Sequence, residues 1–558
     1  MRGATSKISD EISFNRASQA YSLSTGEGKG GGFLKYSKNI LLFTTIFLIC
    51  LTLSCLSVNY DYDFFARLIV GERFIEQGIL PFKDFLSYTP THPWYDHVWG
   101  SGVIFYLFLK YFGAFGTIFL QTILMFGTSI FVIKTQKFQK PKYPTSLLFI
   151  TVFLALFYHV NSSGIRCHLF SFFCFSLFLY LMEKLRSDYS TKLIWIIPPI
   201  VVLWNNVHGG VVSGLGLIFM YMIGMILSKK PWKKYFALLA ISTPLLIANP
   251  YGYKYLGFLL SAATMHRKYI VEWWSFLAAR HFWYYLLPSL YGIFAFSVSL
   301  IGKKKIDITK TIVLAVTLYS GLAHVKLLSL TLIVSASLCY SDIMVLILRL
   351  KKFVVRLKNP CKNLLKILEK ALYPAVLVCT LLAVPFSSPM YPRCDLYKYP
   401  LYETEFLMIN NIKGNIVVPF GLGSYVSYKL YPNNLIFMDG RYEEVYNDKE
   451  FLMLRDFWLA EDNWQDILNN YQTEILMPNK DVAICEILDK DPNWVHIFDG
   501  RICAIYVKKE NVKKSYLEPE YGIDYYKRTM FCGKTFGKHL KMYNKKSEEV
   551  KTKAGAND

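Results

Sequence analysis

Asn39-Ile40-Leu41-Leu42-Phe43-Thr44-Thr45-Ile46-Phe47-Leu48-Ile49-Cys50-Leu51-Thr52-Leu53-Ser54-Cys55-Leu56-Ser57-Val58 runs directly into Asn59-Tyr60-Asp61-Tyr62-Asp63-Phe64-Phe65-Ala66-Arg67. The first stretch is uncharged and long enough to cross the hydrocarbon core of a bilayer. The second puts two carboxylates, one residue apart, where that segment meets water. Lys35 and Lys38 precede the span and hold its start on the cytoplasmic side, so the acids face outward.

Blocks of similar length recur along the chain. With 53% hydrophobic and 17% aromatic residues in 558, it is too apolar for a soluble enzyme and reads as a polytopic α-helical membrane protein. The net charge of +22 sits largely in short clusters between apolar runs, such as Lys229-Lys230, Lys303-Lys304-Lys305 and Lys351-Lys352. That is the positive-inside pattern of cytoplasmic loops, and no basic face interleaved with stacking aromatics points to nucleic acid. The 11 cysteines show no metal-ligand spacing. Cys394, Cys485 and Cys503 leave a disulfide open.

Length and charge together predict about eleven transmembrane helices. Residues 1–38 read as a disordered cytoplasmic tail and 39–388 as the membrane domain. Its first outer loop, 59–113, carries interfacial helices. Val98–Phe112 is expected to lie in the interface, because a second crossing there would put Lys134, Lys137 and Lys140 outside; Ala114–Lys134 then crosses alone. Spans follow at Tyr143–Val160, His168–Met182, Leu193–Val207, Val211–Leu227, Tyr235–Ala248, Phe282–Ile301, Thr309–Ala323, Lys326–Leu350 and Ala371–Ser387. Residues 389–508 read as an extracytoplasmic α/β domain with a mostly parallel sheet, and 509–558 as a basic, poorly ordered tail. Its strands are expected at Asn415–Phe420, Leu435–Met438, Glu474–Met477 and Ile502–Val507, its helices at Glu403–Ile412, Phe451–Trp458, Trp464–Tyr471 and Val482–Leu488.

Under this topology the out-of-place polar residues gather on one side. The first loop holds Asp61, Asp63, Arg67, Asp84, His92, Asp96 and His97. Later turns add Arg166, His168, Asn205, Asn206, His208, Asn249, Tyr251, Arg267, Glu272, Arg280, His281, His324 and Lys326. Any one of them has a plain explanation: a helix-end histidine caps carbonyls, and an acid at a helix N-terminus favours its dipole. Capping accounts for one acid of Asp61 and Asp63 better than for both. Two amides, a His and two glycines at the end of a span (Asn205 to Gly210) suit a polar pocket better than lipid.

Such a set fits displacement at a sugar carbon. A carboxylate takes the proton of an incoming hydroxyl or amine, and cations hold the leaving phosphate. Asp63 is expected to be the base, with Asp61 and Asp84 orienting. Arg67, Arg166, His168, Asn205, His208, Glu272 and Lys326 are expected to bind substrate, Arg166, His208 and Lys326 meeting the phosphate. Asp61 and Asp63 can hold a divalent metal such as Mg or Mn, though two ligands alone do not require one. Asp439-Gly440-Arg441 reads as a local turn, with glycan binding as the alternative.

At these residues the chain resembles the GT-C class of multi-spanning glycosyltransferases that use lipid-linked sugars, in particular a bacterial branch. The resemblance rests on Asp63 through Gly78, Pro81 through Thr89, Pro93 through Trp99, Arg166 through Ser171, Trp204 through Gly210, Asn249 through Gly252, Glu272-Trp273, Gly423 through Tyr425 and Asp439 through Arg441. Phe65-Ala66 stands where the branch commonly has Trp-His, and Cys167 where it often has Pro. The resemblance implies a polyprenyl-phosphate-sugar donor and a lipid, glycan or protein acceptor in the cell envelope, with membrane lipid around the spans. It also implies residence in the bacterial inner (plasma) membrane. A lipid-linked saccharide transporter or scramblase, or a non-catalytic envelope-glycan-binding relative, is the alternative.

Overall fold

The computed structural model describes residues 30–57, 60–139, 145–161, 164–265, 267–279, 281–301, 305–357, 364–386 and 398–519. Asn59, Arg280, Lys303-Lys304, Cys394 and most of both expected tails lie outside the described residues. The molecule is mainly helical, with a small sheet near its C-terminal end.

Among the described residues, four helices are long and apolar enough to cross a membrane: Asn39–Leu56, Phe115–Gln139, His168–Ser187 and Phe282–Leu300. A fifth counts if Val325–Leu338 and Tyr340–Ile347 form one span, but these meet at a 65° bend. The eleven expected spans are therefore not confirmed. Leu147–Val160, Leu193–Val207, Val211–Leu227, Ile308–Ala323 and Lys370–Ala383 are apolar helices of 10–17 residues. At 1.5 Å per residue these five reach about 21 to 26 Å, short of a hydrocarbon core of about 30 Å.

Two breaks shape the bundle. Gly113 takes φ 60°, which a side chain resists, and divides Trp99–Gln136 into an early piece and the crossing segment. This is the division expected between Val98–Phe112 and Ala114–Lys134. The second break corrects the expected single span Lys326–Leu350: helix Leu328–Leu338 ends at Cys339, and Tyr340–Leu357 leaves at the bend. Lys310, buried on a neighbouring helix, donates to the Leu338 carbonyl (2.5 Å) and to Asp342 (2.6 Å), satisfying a carbonyl that the bend frees.

In the C-terminal region β1 (Ile416–Val417), β2 (Ile475–Leu476), β3 (Trp494–Asp499) and β4 (Ala504–Lys508) form one sheet in the order β1-β2-β4-β3. Only β1 and β2 run parallel, which corrects the mostly parallel expectation. After the unexpected β3 the chain turns back, so that β4 runs antiparallel to both β3 and β2. Leu435–Met438 makes bridges instead of a full strand: Ile436 pairs with Ile416 and also with Ser87 of the first loop. Helices Leu401–Ile409, Asp448–Leu459, Asp466–Asn470 and Ile484–Leu488 fall where expected, and Gly423–Leu430 was not foreseen.

The first loop and this domain share one apolar core. Ile69, Val70, Leu86 and Trp94 pack with Val417, Phe437, Met438 and Tyr442. Helix Phe64–Gln77 also lies against Trp99–Gln136 and against Gly423–Leu430. The acids at the start of that helix are thus held between bundle and sheet.

Candidate active site

The site is built where helix Phe64–Gln77 begins. Tyr60 fixes the approach: its ring stacks on Phe64 at 4.1 Å, and its carbonyl accepts from Tyr399 Oη (2.7 Å) and Lys398 Nζ (2.9 Å). Asp61 then accepts the backbone N–H of Asp63 (3.2 Å), a turn that points both carboxylates the same way.

They meet Arg166. Its guanidinium lies 3.2 Å from Asp61, 3.5 Å from Asp63 and 2.6 Å from Glu272, and Lys326 stands 3.6 Å from the other Glu272 oxygen. Asp61 is 9% exposed while Asp63 is 41% exposed, so Asp63 is the acid open to an incoming group. Burial pushes the Asp61 carboxyl up to about 6, with Arg166 pulling the other way. Burial pushes Glu272 up too, but Arg166 and Lys326 overcome it and hold that acid down at about 2. Arg166, His168, Glu272 and Lys326 line a cavity of about 40 Å³ with Tyr285 and Asn161. The His168 and His208 rings are 4.6 Å apart.

The structure therefore brings together Asp61, Asp63, Arg166, His168, His208, Glu272 and Lys326. It places three other expected residues elsewhere. Arg67 is buried on Asp96 (3.1 Å) and on both oxygens of Glu444, so it is spent within the protein instead of facing a phosphate. Asp84 is buried on Arg441 (2.6 Å), which in turn holds Asp439 (2.9 and 3.0 Å). Asp84 so joins the C-terminal domain to the first loop and does not touch the two acids. Asn205 is fully buried, its amide nitrogen giving a hydrogen bond to the Leu246 carbonyl (2.9 Å). The expected Asp439–Arg441 turn is present, but Arg441 also reaches across to Asp84.

Sequence reasoning missed two participants. Glu444 accepts from Arg67, from Trp94 Nε1 (2.9 Å), and lies 3.4 Å from His97. No local signal marks it, since each partner is in the first loop. Gly440 lies against Asp63: a Cβ there would come 2.6 Å from Asp63 Oδ1.

Metal-competent groups lie apart from Asp61 and Asp63. Ligand atoms of Cys167, His168 and His208, and of Asp96, His97 and Glu444, come within 4.8 Å of one another in each trio. Between Asp61 and Asp63 the neutralising charge is Arg166, which a divalent ion would have to displace.

No family model matches the chain, and no curated protein matches it. Among solved structures it is similar to the oligosaccharyltransferase of Archaeoglobus fulgidus in its apo form, with a TM-score of 0.52. The likeness covers 78% of this chain and 69% of that one at 10% identity. At that identity it shows a shared GT-C-like fold alone. The membrane character of the chain rests on the length and composition of its apolar helices.

Proposed function

We propose that this protein is a membrane glycosyltransferase. It moves a sugar from a polyprenyl-phosphate-linked donor to a hydroxyl or amine of an envelope lipid, glycan or protein, with inversion, at the extracytoplasmic face of a bacterial inner membrane. The observation that carries this reading is Arg166 in contact with Asp61, Asp63 and Glu272 beside Lys326. Asp63, the most exposed of the three acids, accepts the acceptor's proton as the new bond to the sugar carbon forms. The bond from that carbon to phosphate oxygen breaks on the opposite side, and Arg166 and Lys326 take up the charge of the leaving phosphate. Asp61 and Glu272 hold these cations in place until substrate arrives.

A chemical role for Asp63 is tested by following radiolabelled sugar from a polyprenyl-phosphate pool into a cell-envelope acceptor. Asp63→Asn is expected to lose about a hundredfold or more in rate, the usual scale for a general base. Full activity in that variant would overturn the assignment. A chain that only moved or bound lipid-linked sugar would show no such transfer in either form.

A further inference from the structure

His208 sits in the turn between helices Ile197–Val207 and Val211–Leu227, beside the cavity-lining His168. Its Nδ1 meets two neighbours, Ser171 Oγ at 2.6 Å and the Gly210 backbone N–H at 3.0 Å. A backbone N–H can only donate, so Nδ1 is an acceptor there. The Ser171 hydroxyl fits the same sense. Trp204 Nε1, which also can only donate, gives its hydrogen to Ser171 Oγ at 2.7 Å, and that hydroxyl is left to pass its own hydrogen to Nδ1. The chain of donors runs Trp204, Ser171, His208, with Gly210 adding a second from the backbone.

A ring whose Nδ1 only accepts carries its proton on Nε2. Gly210 keeps the arrangement open, since a Cβ there would fall on Ser171 Oγ and 2.6 Å from Nδ1. Because Nδ1 accepts hydrogens and so bears none, the ring is neutral as well as fixed in tautomer.

We propose that His208 serves the site as a neutral Nε2–H donor to a phosphate oxygen of the sugar donor, with Trp204, Ser171 and Gly210 as its positioning residues. This rests on the phosphate-site reading above and adds one part to it: beside the cations Arg166 and Lys326, His208 is an uncharged donor. It also sets His208 against a transition-metal role with Cys167 and His168, because a ligating Nε2 needs the proton on Nδ1.

The test uses the full chain in lipid nanodiscs with farnesyl phosphate, a short polyprenyl phosphate, as probe. Nitrogen-15 NMR of labelled histidine, assigned by His208→Gln, is expected to show an unprotonated Nδ1 and a protonated Nε2. Ser171→Ala is expected to mix the two tautomers. His208→Asn, which lacks a donor at the Nε2 position, is expected to weaken farnesyl phosphate binding about tenfold to a hundredfold, the scale of a hydrogen bond to a charged group. His208→Gln, which restores an N–H near that position, is expected to recover most of the loss. A protonated Nδ1, equal losses in the Gln and Asn variants, binding that strengthens as His208 takes a proton in acid, or one zinc per chain would each overturn the proposal. If Arg166→Gln abolishes binding while both His208 variants bind normally, only the role of His208 falls. If the unaltered chain binds no farnesyl phosphate, the phosphate-site reading falls with it.

Discussion

Asp61 and Glu272 share one arginine and are shifted in opposite directions. Asp61 is raised to about 6, so its contribution favours the fold below the ordinary value of 3.8 and is gone once pH has risen through 6. Glu272 is lowered to about 2; its contribution is present above 4.5 and is lost as pH falls through 2. Between neutral pH and pH 5 only Asp61 of this pair takes a proton, which loosens one hold on Arg166. Transfer is therefore expected to show an acid limb near pH 6. Asp61→Asn, which resembles the protonated acid at every pH, is expected to be slow and flat from about pH 5 to about pH 8. An unchanged limb in that variant would point to another group. Gly440→Ala tests the site from the other domain: a methyl at that position displaces the Asp63 carboxylate, and turnover is expected to fall about tenfold or more with unchanged unfolding temperature. Which acids and cations come together was partly legible in the sequence, since Asp63, Arg166, Glu272 and Lys326 all stood out as polar residues near apolar runs. Arg67 and Asp84 stand out for the same reason, Arg67 as an expected substrate ligand and Asp84 as an expected orienting acid. What distinguishes them is Glu444 and Arg441, partners that no local spacing connects to them.

The bend after Leu338 shows the same limit among the helices. Leu338-Cys339-Tyr340 contains neither proline nor glycine, so an apolar run through it reads as one continuous span. Lys310 supports the break from another helix, donating to the freed Leu338 carbonyl and to Asp342. Lys310→Met leaves Asp342 without that cation and is expected to destabilise the chain by about 3 to 5 kcal/mol, the range for breaking a buried pair. Thermal unfolding in detergent checks this, and a change below about 1 kcal/mol would mean the bend needs no such support. At Gly113 the break was readable, because charge on the following lysines and the length of the run both required it.

Over the whole molecule, apolar composition was enough to anticipate a helical membrane fold, and its GT-C-like form was implied only by the resemblance that the motifs from Asp63 to Arg441 carry. The way the C-terminal domain attaches was not legible. Its attachment depends on Ile436 pairing with Ser87, on a shared apolar core, and on two buried ionic contacts, Arg441 with Asp84 and Glu444 with Arg67. Arg441 is 1% exposed, and Arg441→Ala leaves Asp84 and Asp439 buried without it. That loss is expected to cost about 3 to 5 kcal/mol and to make the domain separate more readily from the bundle. Limited proteolysis should then cut between the bundle and residue 398 sooner than in the unaltered protein; an unchanged cleavage rate would show that the apolar core alone suffices.

That attachment also imposes an order in time. Asp84 and Arg441 are 357 positions apart, and Arg67 and Glu444 are 377 apart. At about 5 to 20 residues per second, a ribosome takes roughly 20 to 75 s to pass from the first partner to the second. During that interval the first loop has left the ribosome with Arg67 and Asp84 still waiting for their counterparts. Gly440, which lies against Asp63, arrives with the same late segment. A growing chain therefore carries its acids unsupported until residues 440 to 444 have been made, and competence waits for that segment.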